Sequence, residues 1–193
     1  MIEEARRRAA QCGLPVQFEL AEALRLPWQS DHFNACRADR LLQHLPQPDQ
    51  VLSEMLRVLK PGGRIVVVDR DWGMVALDSA DSTTTQAVLN RACDGIRNGW
   101  MGRKLNGLFK RAGVTEVQIE AHSITRFDMA DSLRDLCIVS EHAVRERRIT
   151  RTAVDAWLDD LLERGHAGTS LAALTLYVAF GRKRPTIYSF LGS

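Results

Sequence analysis

The run Arg64-Ile65-Val66-Val67-Val68-Asp69, entered through Lys60-Pro61-Gly62-Gly63, constrains this chain more than any other stretch. Four β-branched residues in a row, with no polar residue between them, do not suit a half-solvated strand. They predict a strand buried on both faces, as in a parallel sheet covered by helices. Pro61 cannot continue a helix, and the two glycines allow the chain to reverse. Just upstream, Leu52, Met55, Leu56 and Leu59 stand at helical spacing behind Pro48-Asp49, which predicts a helix over 49–59.

The same alternation continues along the chain. Helices are expected at 3–12, stopped by Gly13, at 83–98, at 104–112, stopped by Gly113, and at 130–147. A last helix is expected at 152–164, ended by Gly165, with Val154, Trp157, Leu158 and Leu161 facing inward. Strands are expected at Val16–Leu20, Phe33–Arg37, Arg64–Asp69, Val114–Ala121 and Ala172–Arg182, the last antiparallel to its neighbours. Helix and strand in turn predict an α/β fold with a mostly parallel sheet. No repeat or linker divides residues 1–193, so a single domain is expected.

Composition narrows the function classes. The 193 residues are 45% hydrophobic and 26% charged with a net charge of +2, which leaves no electrostatic footprint for nucleic acid. The short clusters Arg145, Arg147, Arg148 and Arg182, Lys183, Arg184 read as solvated surface. Cys12, Cys36, Cys93 and Cys137 show no zinc spacing and lie in apolar stretches, so buried free thiols and no metal are expected. His122, His142 and His166 have no partner at ligand spacing and read as surface residues. No window approaches the ~20 apolar residues of a membrane span. The charged start Met1-Ile2-Glu3-Glu4-Ala5-Arg6 has no signal-peptide core. A cytoplasmic location without a membrane partner is therefore expected.

The stretch from Phe18 to Asp71 carries the chemistry. Glu22-Ala23 follows the first expected strand and an apolar turn, Leu24 to Trp28, follows it. Phe33-Asn34-Ala35-Cys36-Arg37 is the next strand, then Leu41-Leu42-Gln43-His44-Leu45-Pro46, the helix, the Leu59-Lys60-Pro61-Gly62-Gly63-Arg64 turn and the strand ending in Asp69. This order resembles the class I S-adenosylmethionine-dependent methyltransferases of the type 11, ubiquinone/menaquinone-methyltransferase-like kind. The resemblance runs from residue 1 to about 183. It implies a Rossmann-like three-layer sandwich and methyl transfer from S-adenosylmethionine to a small molecule. It also implies a cofactor site in which Glu22 meets the adenine amino group, Ala23 a ring nitrogen, and Arg37 and Ala38 the methionine part.

Open α/β sheets bind ligands at the carboxyl ends of their strands. His44 is accordingly the candidate base and Asp69 a second candidate catalytic group. Asp71 and Trp72, with the cluster Arg97, Trp100, Arg103, are candidates for binding an aromatic or anionic acceptor. Plainer alternatives stand beside each: a solvated turn glutamate, a turn histidine bonded to backbone, a strand-end aspartate, a loop packed by one Trp. Helices near 75–112 and 129–165 are expected to cover the substrate.

The chain departs from the family pattern in two ways. It has Glu22 and Ala21 where Asp and Gly are common, and it has neither a G-x-G-x-x-G-like loop nor the acid that would hold the ribose. It reads as a domain lacking its first strands. Weak or absent binding of S-adenosylmethionine, exposed apolar surface and a tendency to homo-oligomerise are expected. A non-catalytic methyltransferase-like chain, acting as a partner subunit or an inert fragment, is the alternative. A nicotinamide reductase fits poorly, since it too needs a Gly-rich loop and no Tyr-x-x-x-Lys is present.

Overall fold

The computed structural model describes residues 2–13, 15–126 and 130–185; at 126 and 130–134 it describes the backbone alone. Helix α1 (Ile2–Gln11) is followed by β1 (Phe33–Asp39), a short 3-10 turn (Leu42–His44), α2 (Pro48–Val58) and β2 (Leu59–Leu77). Then come α3 (Ser82–Asp94), α4 (Met101–Arg111), β3 (Thr115–Arg126), α5 (Ala130–Arg145), α6 (Arg151–Ala167) and β4 (Ala172–Arg182). One sheet holds the four strands in the order β1-β2-β4-β3. The β-branched run takes an inner place, but it is buried on one face rather than both: Ile65 and Val67 are fully buried while Val66 and Val68 are half-buried.

β1 runs parallel to β2, and β4 lies antiparallel to both β2 and β3. The sheet is thus α/β as expected, but among the described residues it has one parallel pair and two antiparallel ones. The final strand enters between β2 and β3 from the opposite direction. The register between β1 and β2 shifts between Phe33 and Ala35, where Lys60-Pro61-Gly62-Gly63 loops out of the ladder and Gly62 takes φ 76°.

One row across the sheet, Ala38, Val67, Ala179 and Ile119, faces α2 and α4. Ile65 and Val67 are fully buried there against Val51, Leu52, Leu105 and Phe109. Burying such side chains stabilises the fold by about 1.5–3 kcal/mol each. The opposite face, with Val66, Val68, Val178 and Phe180, is only half-buried. Beyond the carboxyl end of β2 a second, smaller core forms where Val88 of α3 meets Trp157 and Leu161 of α6, with Leu77 against them.

Five expectations are corrected. The strand expected at Arg64–Asp69 runs from Leu59 to Leu77, so Asp69, Asp71 and Trp72 lie along it rather than at its end. Val16–Leu20 is not a strand; Val16 and Leu20 are exposed. Among the described residues no strand borders the outer edge of β1, so this segment finds no ladder. Helix α3 stops at Asp94 rather than 98, because Gly95 opens the loop that reaches the site. Helix α6 runs past Gly165 to Ala167; Gly168, at φ 68°, ends it, with Thr169 N–H donating to Arg164 O. Of the cysteines only Cys93 is buried; Cys36 is half-buried, and Cys12, just past α1, and Cys137, on α5, are exposed. All four are free thiols. Among the described residues no helix is long and apolar enough to cross a membrane, and no three His, Cys, Asp or Glu side chains gather as a metal site.

Candidate functional site

The site grows from the carboxyl end of β1 and the neighbouring middle of β2. Arg40 leaves β1 with φ 52°, a conformation uncommon for a side chain of its size, and donates its N–H to Val68 O at 2.7 Å. This carries residues 41–45 up to β2 at Asp69. The Leu42 N–H donates to Asp69 Oδ2 at 3.0 Å. Asp69 is fully buried and its Oδ1 has no hydrogen-bond partner. Burial pushes its carboxyl up to about 7, against the pull of the Leu42 and Gln43 amides.

Asp71, two residues on, points to the same side and is equally buried. Its surroundings are the reverse. Arg103 of α4 grips both oxygens, through Nε to Oδ2 and through Nη2 to Oδ1 at 2.8 Å, and Gly73 N–H donates at 3.1 Å. Arg103 can reach because α4 begins hard against the sheet. A Cβ at Gly102 would stand 2.6 Å from Tyr177 Cδ2, so only glycine fits.

Gln43 occupies the middle. It is buried, and Trp72 Nε1 donates to its Oε1 at 2.8 Å. Gln43 Nε2 lies 3.0 Å from His44 Nε2. From the loop between α3 and α4, Asn98 N–H donates to Gln43 O at 2.9 Å, and Asn98 Nδ2 donates to Leu42 O and Leu45 O. Trp72 N–H donates to Gly99 O at 2.8 Å. The turn is thus held from below by β2 and from the side by residues 98–99. Arg103 lies over the Trp100 ring at 5.4 Å and Arg70 over Trp72 at 5.2 Å. Trp100 is half exposed at 52% and offers the site an open aromatic face.

The structure therefore brings together His44, Asp69, Asp71, Trp72, Trp100 and Arg103 around residues 69–72 of β2. Arg97 is exposed on the same loop and carries no hydrogen bond or ion pair among the described residues. Ala23, Arg37 and Ala38 line a cavity of about 280 Å³ along the outer edge of β1, with Leu26, Trp28 and Leu41. The Arg37 guanidinium is turned to Asp39 at 2.6 Å. Glu22 is exposed in a tight turn closed by Arg25 N–H to Glu22 O and does not line that cavity. Gln43 and Asn98 escaped sequence reading. Neither stands in a chemical motif, and only the packing of the turn shows that they are its centre.

A methyltransferase-domain family model matches residues 1–113. An uncharacterised 37.1 kDa protein in transposon Tn4556 of Streptomyces fradiae is 36% identical over 189 residues, covering 96% of this chain and 53% of that protein. The methyltransferase GfsG of Streptomyces halstedii is 39% identical over 89 residues, 45% of this chain and 31% of GfsG. The chain thus spans about half the length of the first relative and under a third of the second. Among solved structures, the YcgJ protein of Bacillus subtilis aligns with a TM-score of 0.63 at 19% identity, over 95% of this chain and 78% of YcgJ, a likeness of fold.

Proposed function

This chain belongs to the methyltransferase-domain family, and from that premise we propose that it serves methyl transfer from S-adenosylmethionine to a small-molecule acceptor. The observation that carries the reading is the pairing of two features at one sheet end. An apolar cavity lined by Ala23, Ala38 and Leu41 borders β1, and an aromatic and charged cluster built on Asp71, Trp72, Trp100 and Arg103 caps β2. The cavity's apolar walls suit the flat adenine ring. At about 280 Å³ it falls just below the ~300–1,000 Å³ of ordinary ligand pockets, so it takes the ring end and little of the tail.

The donor's sulfonium supplies an already activated methyl group when bound, so the chain's own residues position rather than react. Trp100 offers its face to an acceptor ring. Arg103, neutralised by Asp71, contributes stacking and hydrogen-bond donors rather than net charge, and Arg97, which has no ion pair among the described residues, is a cation placed to attract an anionic group. The acceptor side is expected to lie under α3, α5 and α6.

A second reading, a non-catalytic methyltransferase-like chain working beside another polypeptide, is favoured by the outer edge of β1, which no strand borders among the described residues. One titration separates the two. S-adenosylmethionine added to ¹⁵N-labelled protein is expected to move the amides of Ala23, Arg37, Ala38 and Leu41, with affinity in the high-micromolar range or weaker. Silence at those amides at millimolar cofactor would leave the second reading standing.

A further inference from the structure

The contacts around Gln43 determine where His44 keeps its hydrogen. An amide side chain has two ends that are interchangeable in shape but opposite in chemistry. Here one end is identified without ambiguity, because an indole Nε1–H can only donate. Trp72 Nε1 lies 2.8 Å from one end of the Gln43 amide, which must therefore be Oε1. The other end is then the NH₂. It lies 3.0 Å from His44 Nε2 and 3.5 Å from Arg40 O. With two N–H bonds and two acceptors, Gln43 Nε2 donates to both. His44 Nε2 must receive, so it carries no hydrogen, and in a neutral imidazole the hydrogen then sits on Nδ1.

Gln43 is free to play neither role differently. Its side chain is buried, its carbonyl is bound by Asn98 N–H, and its turn is held by Asp69 through Leu42 N–H.

We propose that Gln43 and Trp72 are positioning residues that select the Nδ1–H tautomer of the neutral His44 ring, so that the ring meets the methyl acceptor as a hydrogen-bond donor to an oxygen or an unprotonated ring nitrogen. The ring's basic nitrogen is already engaged by Gln43. Proton removal from the acceptor falls to another group or to solvent, and the class of acceptor that fits is one presenting a carbonyl, enolate or phenolate oxygen to this donor. The hydrogen's placement stands on this chain's own contacts; only the identity of the group that meets the ring rests on the methyl-transfer reading.

Long-range ¹H–¹⁵N correlation of the imidazole nitrogens, on the full chain at pH 8 and without cofactor, tests the placement apart from activity. The His44 signals are assigned by their loss in His44→Asn. In the wild-type chain Nδ1 is expected to resonate as a protonated nitrogen and Nε2 as an unprotonated one. Gln43→Glu puts an acceptor-only group beside Nε2 and should invert the pattern. Trp72→Phe frees the amide to turn and should give a mixture of both tautomers. The two variants' backbone spectra show whether the fold is kept. Should Gln43→Glu not fold, the wild-type pattern and Trp72→Phe still decide. A wild-type His44 protonated at Nε2, or a pattern unmoved by Gln43→Glu in a folded chain, would overturn the proposal. If the tautomer is as expected while S-adenosylmethionine moves no amide of the β1 cavity, the placement holds and the methyl-transfer reading fails.

Discussion

The core under the sheet and the core under the helical cap are both apolar, yet they are held by different means. Under the sheet, Leu52, Leu105, Phe109, Ile65 and Val67 are fully or almost fully buried, and residues from three strands and two helices share one cluster. In the cap, the buried cluster among the described residues is Val88, Trp157 and Leu161, with Ala143 and Val154 also buried on α5 and α6. Polar latches do the rest: Trp157 Nε1–H to Thr85 Oγ1 at 2.8 Å, Ala80 N–H to Asp160 at 2.9 Å, and Arg164 to both Asp160 and Asp78 at 2.9 Å. Apolar mass binds many elements into one cooperative unit, whereas latches open one at a time. Regions of few buried contacts are those that open locally below the global unfolding free energy.

The largest effect should come from the sheet core. Phe109→Ala is expected to lower global stability by about 4 kcal/mol, through lost transfer energy and the cavity left behind. Urea unfolding measures it, and a loss near that of a surface substitution would mean that the sheet core is not the cooperative centre.

Next comes the acid at the rim of that core. Because burial raises Asp69 to about 7, the folded state prefers its neutral form. The folded chain therefore holds more protons than the unfolded one between about pH 4 and pH 7, so stability falls as pH rises through that window and levels off above it. Asp69→Asn cannot ionise yet can still accept from Leu42 N–H. It should remove this slope and exceed the wild type at pH 8 by on the order of 3 kcal/mol. Parallel pH-dependent melts that coincide for the two proteins would contradict the burial argument.

The smallest effect should be the most local. Trp157→Phe keeps most of the ring but loses the donor to Thr85, at a cost of about 2 kcal/mol. Amide exchange should quicken in α3 and α6 and stay unchanged in α2 and α4. Equal quickening everywhere would merge the two cores into one.

The sheet core was legible because burial and periodicity agree there: an unbroken β-branched run can sit only inside, and the α2 stripe can face only one way. Val16–Leu20 misled because alternation describes a strand's preference while a ladder needs a neighbour. Gly165 misled because glycine can sit at helical φ, and the left-handed residue that ends α6 is Gly168. In the site, Asp69, Asp71 and Trp72 were picked out as following a strand end, but β2 runs on through them to Leu77; what places them in the site is that they stand beside the carboxyl end of β1. Gln43 was invisible. Its role comes from Trp72 and Asn98, which are 29 and 55 residues away in the chain and meet it only after β2 and the α3–α4 loop have folded over the turn.

β2 is a single strand of 19 residues, and it serves both cores. Its ladder with β4 is continuous from Arg64 to Asp71 and resumes at Ala76 and Leu77, opposite Ala173 and Ala172. Mechanically it is a beam clamped at one end in the sheet and carrying the cap at the other, and residues 72–75 are the length left unclamped. Any tilt of the cap has to bend the beam there. Gly73 lies within that length, so close to Trp100 Nε1 and Arg103 Nη2 that a Cβ would stand 2.9 Å from each. A load applied to the cap is therefore delivered to the aromatic and guanidinium groups of the site, and a molecule seated between those groups stiffens the joint on which the cap turns.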